Sequence, residues 1–79
     1  MKKIVIPKMG MATTEVDILN WKVKEGDSIK KGDVIVEIES EKTNVSIESE
    51  FNGVITKVLY KEGDTVKVGE VVCELNESY

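Results

Sequence analysis

Shifted by 37 positions, the chain matches itself. "KEGDSIKKGDVIVEI" (24–38) falls on "KEGDTVKVGEVVCEL" (61–75), and eight of the fifteen pairs are identical, at Lys24, Glu25, Gly26, Asp27, Lys30, Gly32, Val34 and Glu37. A repeat of this length is one supersecondary unit that cannot bury its apolar face alone, so the two copies must cover each other. Each copy reads as strand, Glu-Gly-Asp turn, short bridge, Gly-Asp or Gly-Glu turn and strand, with apolar residues alternating or in short β-branched runs. No stretch carries a 3.6-residue apolar period with caps. The repeat therefore predicts an all-β fold, a flattened barrel or sandwich with internal two-fold pseudosymmetry. Its expected core is Ile29, Val34, Val36, Ile38, Val45, Ile47, Ile55, Val58, Val66, Val71, Cys73 and Leu75. Trp21, preceding Val23 in a strand that leads to the first glycine turn, is expected to pack against the second copy rather than meet a partner. Pro7 suits the end of an edge strand, where a missing backbone donor costs little.

Seventy-nine residues make one small domain, 1–79, burying roughly 60–65% of its unfolded surface. The single cysteine, Cys73, excludes an internal disulfide, and with no histidine and no CxxC pair there is no donor set for zinc, for a redox pair or for a His-based triad. Cys73 aligns with Val36 of the other copy, an inward position, and so reads as a small core residue. No apolar run reaches the roughly 18–20 residues that span a bilayer, and "MKKIVIPKMG" has too short an apolar centre for a secretory signal. A cytoplasmic protein without a membrane role is the expectation. The formal charge of −4 opposes sequence-independent binding of nucleic acid. Its distribution is more telling, because residues 37–50 hold five glutamates against Lys42 and so carry the whole of that −4.

The stretch "EIESEKTNVSIES" (37–49) is where that lysine sits. With Glu41 and Lys42 as the two central residues of a hairpin turn, Ser40 faces Thr43, Ile38 faces Val45 and Val36 faces Ile47. Every inward residue then meets an inward residue, as a hairpin register requires. The same pairing sends Glu37, Glu39, Asn44, Ser46 and Glu48 outward and leaves Lys42 at the tip. Two-residue hairpin turns favour Asn-Gly or Asp-Gly, and neither Glu41 nor Lys42 adopts positive φ easily, which leaves a type I turn. Two readings remain open: a tip lysine that keeps the protein soluble and blocks edge pairing, or an amine that function requires there. A shift of 37 from Lys42 lands on Tyr79, so the second copy has no such hairpin, and the tip and the chain ends are expected at opposite poles.

The run "VKEGDSIKKGDVIVEIESEKTNVSIESEFNGVI", the later "EGDTVKVGEVV" and the opening "IPKMGMATTEVDILNW" together resemble a lipoyl domain of the acyltransferase (E2) component of 2-oxo acid or acetoin dehydrogenase complexes, over essentially residues 4–76. The resemblance implies two four-stranded antiparallel sheets and lipoate in amide linkage to Lys42, with Glu41 and Thr43 presenting it where the family most often has Asp and Ala or Val. It implies a non-catalytic swinging arm. A thiamine-dependent decarboxylase (E1) would acylate the dithiolane reductively, the acyltransferase core (E2) would pass the acyl group to coenzyme A, and dihydrolipoamide dehydrogenase (E3) would reoxidise the dithiol. A lipoate ligase or lipoyl transferase would load the arm, and amide formation would take the tip to −5, favouring partners with basic entrances. The isolated domain is expected to be a monomer. By the same resemblance the loop at Lys8, Met9, Gly10, Met11, Ala12 and Thr13 lies beside the lysine turn and helps a decarboxylase recognise the domain. A plain connector with two exposed methionines is the other reading of that loop.

A biotinyl carrier domain shares the barrel and the tip lysine, but resembles Met-Lys-Met there, where this chain has Glu41 and Thr43. An adaptor with Lys42 unmodified is a further alternative. A nucleic-acid-binding barrel would need an aromatic, basic face, and Trp21, Phe51, Tyr60 and Tyr79 are scattered. An autonomous enzyme fits least, because no acid–base pair stands out from the evenly spread carboxylates.

Overall fold

The computed structural model describes residues 2–8, 13–41 and 43–77. Among them are eight strands and no helix: β1 (Lys2–Val5), β2 (Glu15–Trp21), β3 (Ser28–Ile29), β4 (Val34–Glu39), β5 (Asn44–Glu48), β6 (Gly53–Val58), β7 (Thr65–Lys67) and β8 (Val71–Glu77). They form two four-stranded antiparallel sheets, ordered β1-β8-β6-β3 and β5-β4-β2-β7. Exchanging β1 with β5, β2 with β6, β3 with β7 and β4 with β8 turns one order into the other, which is the pseudosymmetry expected from the repeat. Each sheet takes two strands from each copy, β1 and β3 beside β6 and β8 in one, β2 and β4 beside β5 and β7 in the other.

The glycine turns help to hold the two copies together. Asp27 accepts the Lys24 N–H at 2.9 Å and Asp64 accepts the Lys61 N–H at 2.8 Å, so each Lys-Glu-Gly-Asp turn is closed by its own carboxylate. The glutamates reach across instead, Glu25 Oε2 accepting from Val58 N and Glu62 Oε2 from Trp21 N, both at 3.1 Å. Gly26 stands at φ 95° and its repeat mate Gly63 at φ 93°, a left-handed conformation that side chains rarely tolerate.

One core lies between the sheets, made of Ile4, Ile6, Val16, Ile18, Ile29, Ile35, Val36, Ile38, Ile47, Ile55, Val66, Val72, Cys73 and Leu75, with Trp21, Val45, Val58 and Tyr60 among the half-buried residues packed on it. Trp21 thus lies against the core and bonds to Glu62 of the second copy, as expected. Four expectations need correction. Val34 and Val71 are only partly buried, and Ile35 and Val72 take the core beside Val36 and Cys73. In β4 the cause is a bulge between Val34 and Val36 in its pairing with β5, which breaks strict alternation and turns consecutive side chains inward. Its counterpart in β8 reproduces the burial pattern residue for residue. Val45 and Val58 are half-buried rather than enclosed: Val45 lies in edge strand β5 and Val58 at the end of β6.

Cys73 has no accessible surface, and burial first, then the neighbouring Glu74, pushes its thiol from 9.0 up to about 12. The unfolded chain would ionise this thiol above pH 9 while the folded chain keeps it neutral. The protonated thiol therefore contributes fully below that pH, and its contribution is lost as pH rises towards 12. Urea titrations above pH 9 should show a fall in stability that Cys73→Val lessens, and a disulfide reagent should label the thiol only after unfolding. Equal labelling of native and unfolded protein would contradict this burial.

Candidate functional site: the turn between β4 and β5

The turn inherits its register from the strands. Ile38 pairs with Val45, Val36 with Ile47 and Glu39 with Asn44, which leaves Ser40 opposite Thr43 and only Glu41 and Lys42 to connect the strands. Ser40 closes the turn twice, its N–H donating to the Thr43 carbonyl at 2.8 Å and its hydroxyl to the same oxygen at 3.0 Å. Glu41 has no positive φ, so the turn is not of the Asn-Gly type, and the second bond from Ser40 adds closure that the turn residues do not provide. Glu41 and Thr43 are exposed. Lys42 itself lies outside the described residues, as do Met9, Gly10, Met11 and Ala12. Thr13, the described end of that loop, lies with Thr14, Ser40 and Glu41 around an open cleft beside the turn. Only this end of the loop that the resemblance put beside the turn can be located there.

The cleft shows what the sequence pattern did not reveal. Glu15 and Asp17 of β2 line it together with Glu39 of β4. Asp17 and Glu39 are direct cross-strand partners, and like charges in that position repel. Asp17 is held by the Thr65 hydroxyl at 2.7 Å, and farther along the sheet Lys22 pairs with Glu37 at 3.5 Å. The alternation in "TTEVD" shows that Glu15 and Asp17 face outward, but not that β2 lies beside β4. Among the described residues no group of three or more His, Cys, Asp or Glu is placed to hold a metal ion, and no helix is long and apolar enough to cross a membrane.

Pseudosymmetry also isolates the loop. Ile6 bonds to Glu70 and Gly69 as Ser49 bonds to Asp33 and Gly32. These mates are 43 positions apart, against 37 for the strands that follow, so the first copy has six extra residues between Ile6 and β2. Of that stretch, Thr13 and Thr14 line the cleft beside the turn. The strand ends near the termini lie elsewhere: β5 runs about 17 Å away from the turn, and beyond it Phe51 packs under Lys2, whose Nζ is 5.4 Å from the ring centre and 4.0 Å from Glu77 Oε1.

Comparison with known proteins gives a consistent result. The family model described as "Biotin-requiring enzyme" matches residues 2–75. The chain is 40% identical over 57 residues to the dihydrolipoyllysine-residue succinyltransferase component of the 2-oxoglutarate dehydrogenase complex of Rickettsia bellii, covering 72% of this chain and 14% of that protein. It is 44% identical over 59 residues to the acetyltransferase component of the mitochondrial pyruvate dehydrogenase complex of Dictyostelium discoideum, covering 73% and 9%. The acetyltransferase component of the acetoin cleaving system of Pseudomonas putida is 36% identical over 58 residues, covering 73% and 16%. The chain thus matches a small part of each of these relatives. The solution structure of the lipoyl domain of the 2-oxoglutarate dehydrogenase complex from Azotobacter vinelandii superposes with a TM-score of 0.76 at 31% identity, over 96% of this chain and 99% of that one. The family match over residues 2–75, the identities to these relatives and the near-complete mutual coverage with a solved lipoyl domain make this chain a member of the biotin/lipoyl family, and within it a lipoyl domain.

Proposed function

We propose that this chain is a single carrier domain whose Lys42 bears lipoate in amide linkage and moves acyl groups and electrons between the active sites of a 2-oxo acid or acetoin dehydrogenase complex. The observation that carries the reading is the hairpin register, which leaves Glu41 and Lys42 alone between Ser40 and Thr43. The described surroundings fit such an arm. Both flanking residues are exposed, and the neighbouring cleft is lined by carboxylates and hydroxyls rather than an apolar wall onto which a dithiolane would settle. When attached, lipoate supplies a strained five-membered disulfide that accepts two electrons and an acyl group.

The chain's own residues present and orient the arm. Ser40 and Thr43 fix the turn, Ile38 and Val36 anchor β4 in the core, and Glu15, Asp17, Glu39 and Glu41 make the surroundings acidic, a field suited to partners with basic entrances. Tethering keeps the cofactor at an effective concentration that free diffusion would not give. The partners in this reading are a thiamine-dependent decarboxylase, an acyltransferase core, a flavin dehydrogenase and the ligase or transferase that loads the lysine. Catalysis belongs to them, with the domain acting in the cytoplasm or an equivalent aqueous compartment.

Intact mass after incubation with lipoate, ATP and a lipoate ligase should show one lipoyl adduct, whereas biotin with a biotin ligase should give none. A biotinyl adduct would transfer the chain to the other branch of the family. Removing the second bond across the turn should weaken presentation without weakening the fold. Ser40→Ala is expected to lower the kcat/KM of lipoylation about fivefold, the equivalent of one neutral hydrogen bond, with an unchanged melting temperature. Lipoylation at the parent rate would mean that the backbone bond suffices.

A further inference from the structure

The connector between β5 and β6 contains an Asn-Gly pair, Asn52–Gly53, that the carrier role does not use. Asn52 is exposed. Gly53 is buried, and an added Cβ would collide with the Asn76 carbonyl and lie 2.8 Å from Leu75 Cδ1, so only glycine fits. Packing therefore forces beside an exposed asparagine the residue whose main-chain nitrogen is least shielded, the combination most prone to ring closure. A second observation bears on the same atoms: Asn52 Oδ1 accepts the Lys31 N–H at 2.8 Å. In the other copy the corresponding donor, Val68 N–H, bonds to the Thr14 backbone carbonyl at 3.0 Å. The Asn52 carboxamide thus takes the place of a main-chain acceptor in the frame of the fold.

We propose that Asn52–Gly53 is a latent self-modification site, held closed by the Lys31 N–H and opened whenever the β5–β6 connector leaves its place. The Gly53 nitrogen attacks Asn52 Cγ and loses its proton to water or hydroxide, the bond from Cγ to Nδ2 breaks, and ammonia departs, leaving a five-membered succinimide. Water then opens the ring at one carbonyl or the other, giving an aspartyl or an isoaspartyl linkage. One water is consumed, one ammonia is released, and no electrons change hands. The aspartyl product keeps an acceptor for Lys31. The isoaspartyl product adds a methylene to the backbone immediately before Gly53, which pairs with Ile29 on one side and Glu77 on the other. That insertion unseats β6 between its two neighbours.

The turn at Lys31 allows a clean test. Asp33 N–H donates to the Lys30 carbonyl at 2.9 Å and Gly32 stands at φ 94°, a type II turn with Lys31 at the position that favours proline. Lys31→Pro removes the donor and suits the backbone, whereas Lys31→Ala keeps the donor and removes only the side chain. In mildly alkaline buffer, conversion is followed by intact mass and by isoaspartyl methyl transfer, with peptide mapping to residue 52 and Asn52→Gln as the negative control. Lys31→Pro should raise the rate about fivefold, matching one lost hydrogen bond. Lys31→Ala should leave it unchanged, and urea-unfolded chain should convert faster than all folded forms. Equal rates for parent and Lys31→Pro, or a native rate equal to the unfolded one, would overturn the proposal. Should Lys31→Pro fail to fold, the comparison of parent with and without urea decides alone.

Discussion

Lys42→Arg is expected to take up no lipoyl group from lipoate, ATP and ligase, and to melt where the parent melts. Arginine keeps the length and charge of the side chain but not its chemistry, because a guanidinium that never loses its proton offers no free amine for amide formation. The turn lies outside the core, and exposed substitutions away from special features change stability by about 0.5 kcal/mol or less. Loss of the adduct at unchanged melting temperature would separate chemistry from folding. The chain contains ten other lysines, so an adduct surviving in Lys42→Arg would place the arm elsewhere and end the carrier reading at this turn.

Gly53→Ala is expected to have the opposite profile, with the turn intact and the fold badly weakened. The added methyl group meets the Asn76 carbonyl, which is backbone in the paired strand β8 and cannot rotate away as a side chain could. Overpacking of this kind costs about 3 kcal/mol, and in a domain of this size each kcal/mol lowers the melting temperature by about 4–8 °C. Thermal unfolding followed by circular dichroism measures the loss. Gly26→Ala is the internal contrast. Nothing lies within 4 Å of its added Cβ, so only the φ of 95° is unfavourable, at about 1–2 kcal/mol. If Gly53→Ala melted above Gly26→Ala, the close approach of β6 to β8 would not be the constraint that the structure indicates.

How much of this was legible in the sequence depended on what the repeat covers. The register from Val36 to Thr43 followed from side-chain alternation alone, because one slip would have turned Ile38 and Val45 to solvent. Ile35 and Val72 were illegible for the same reason, since a bulge suspends the alternation on which the reading relied. Ile4, Ile6, Val16 and Ile18 lie in or next to β1 and β2, outside the aligned segments 24–38 and 61–75 and outside the hairpin whose register marked Val45 and Ile47, and so neither signal reached them. Periodicity assigns faces and not neighbours. For that reason neither the mixing of the two copies within each sheet nor the pairing of Asp17 with Glu39 could be read, although every residue involved was visible.

The placement of β1 has a kinetic consequence. Among the described residues its hydrogen-bonded neighbour is β8, with Lys2 opposite Leu75, so the strand cannot dock until the far end of the chain is in place. Contacts this distant in sequence carry the largest loop-closure cost and form late. In the native state an edge strand of four residues is also expected to open more readily than the central strands β8 and β6, detectable as faster hydrogen exchange.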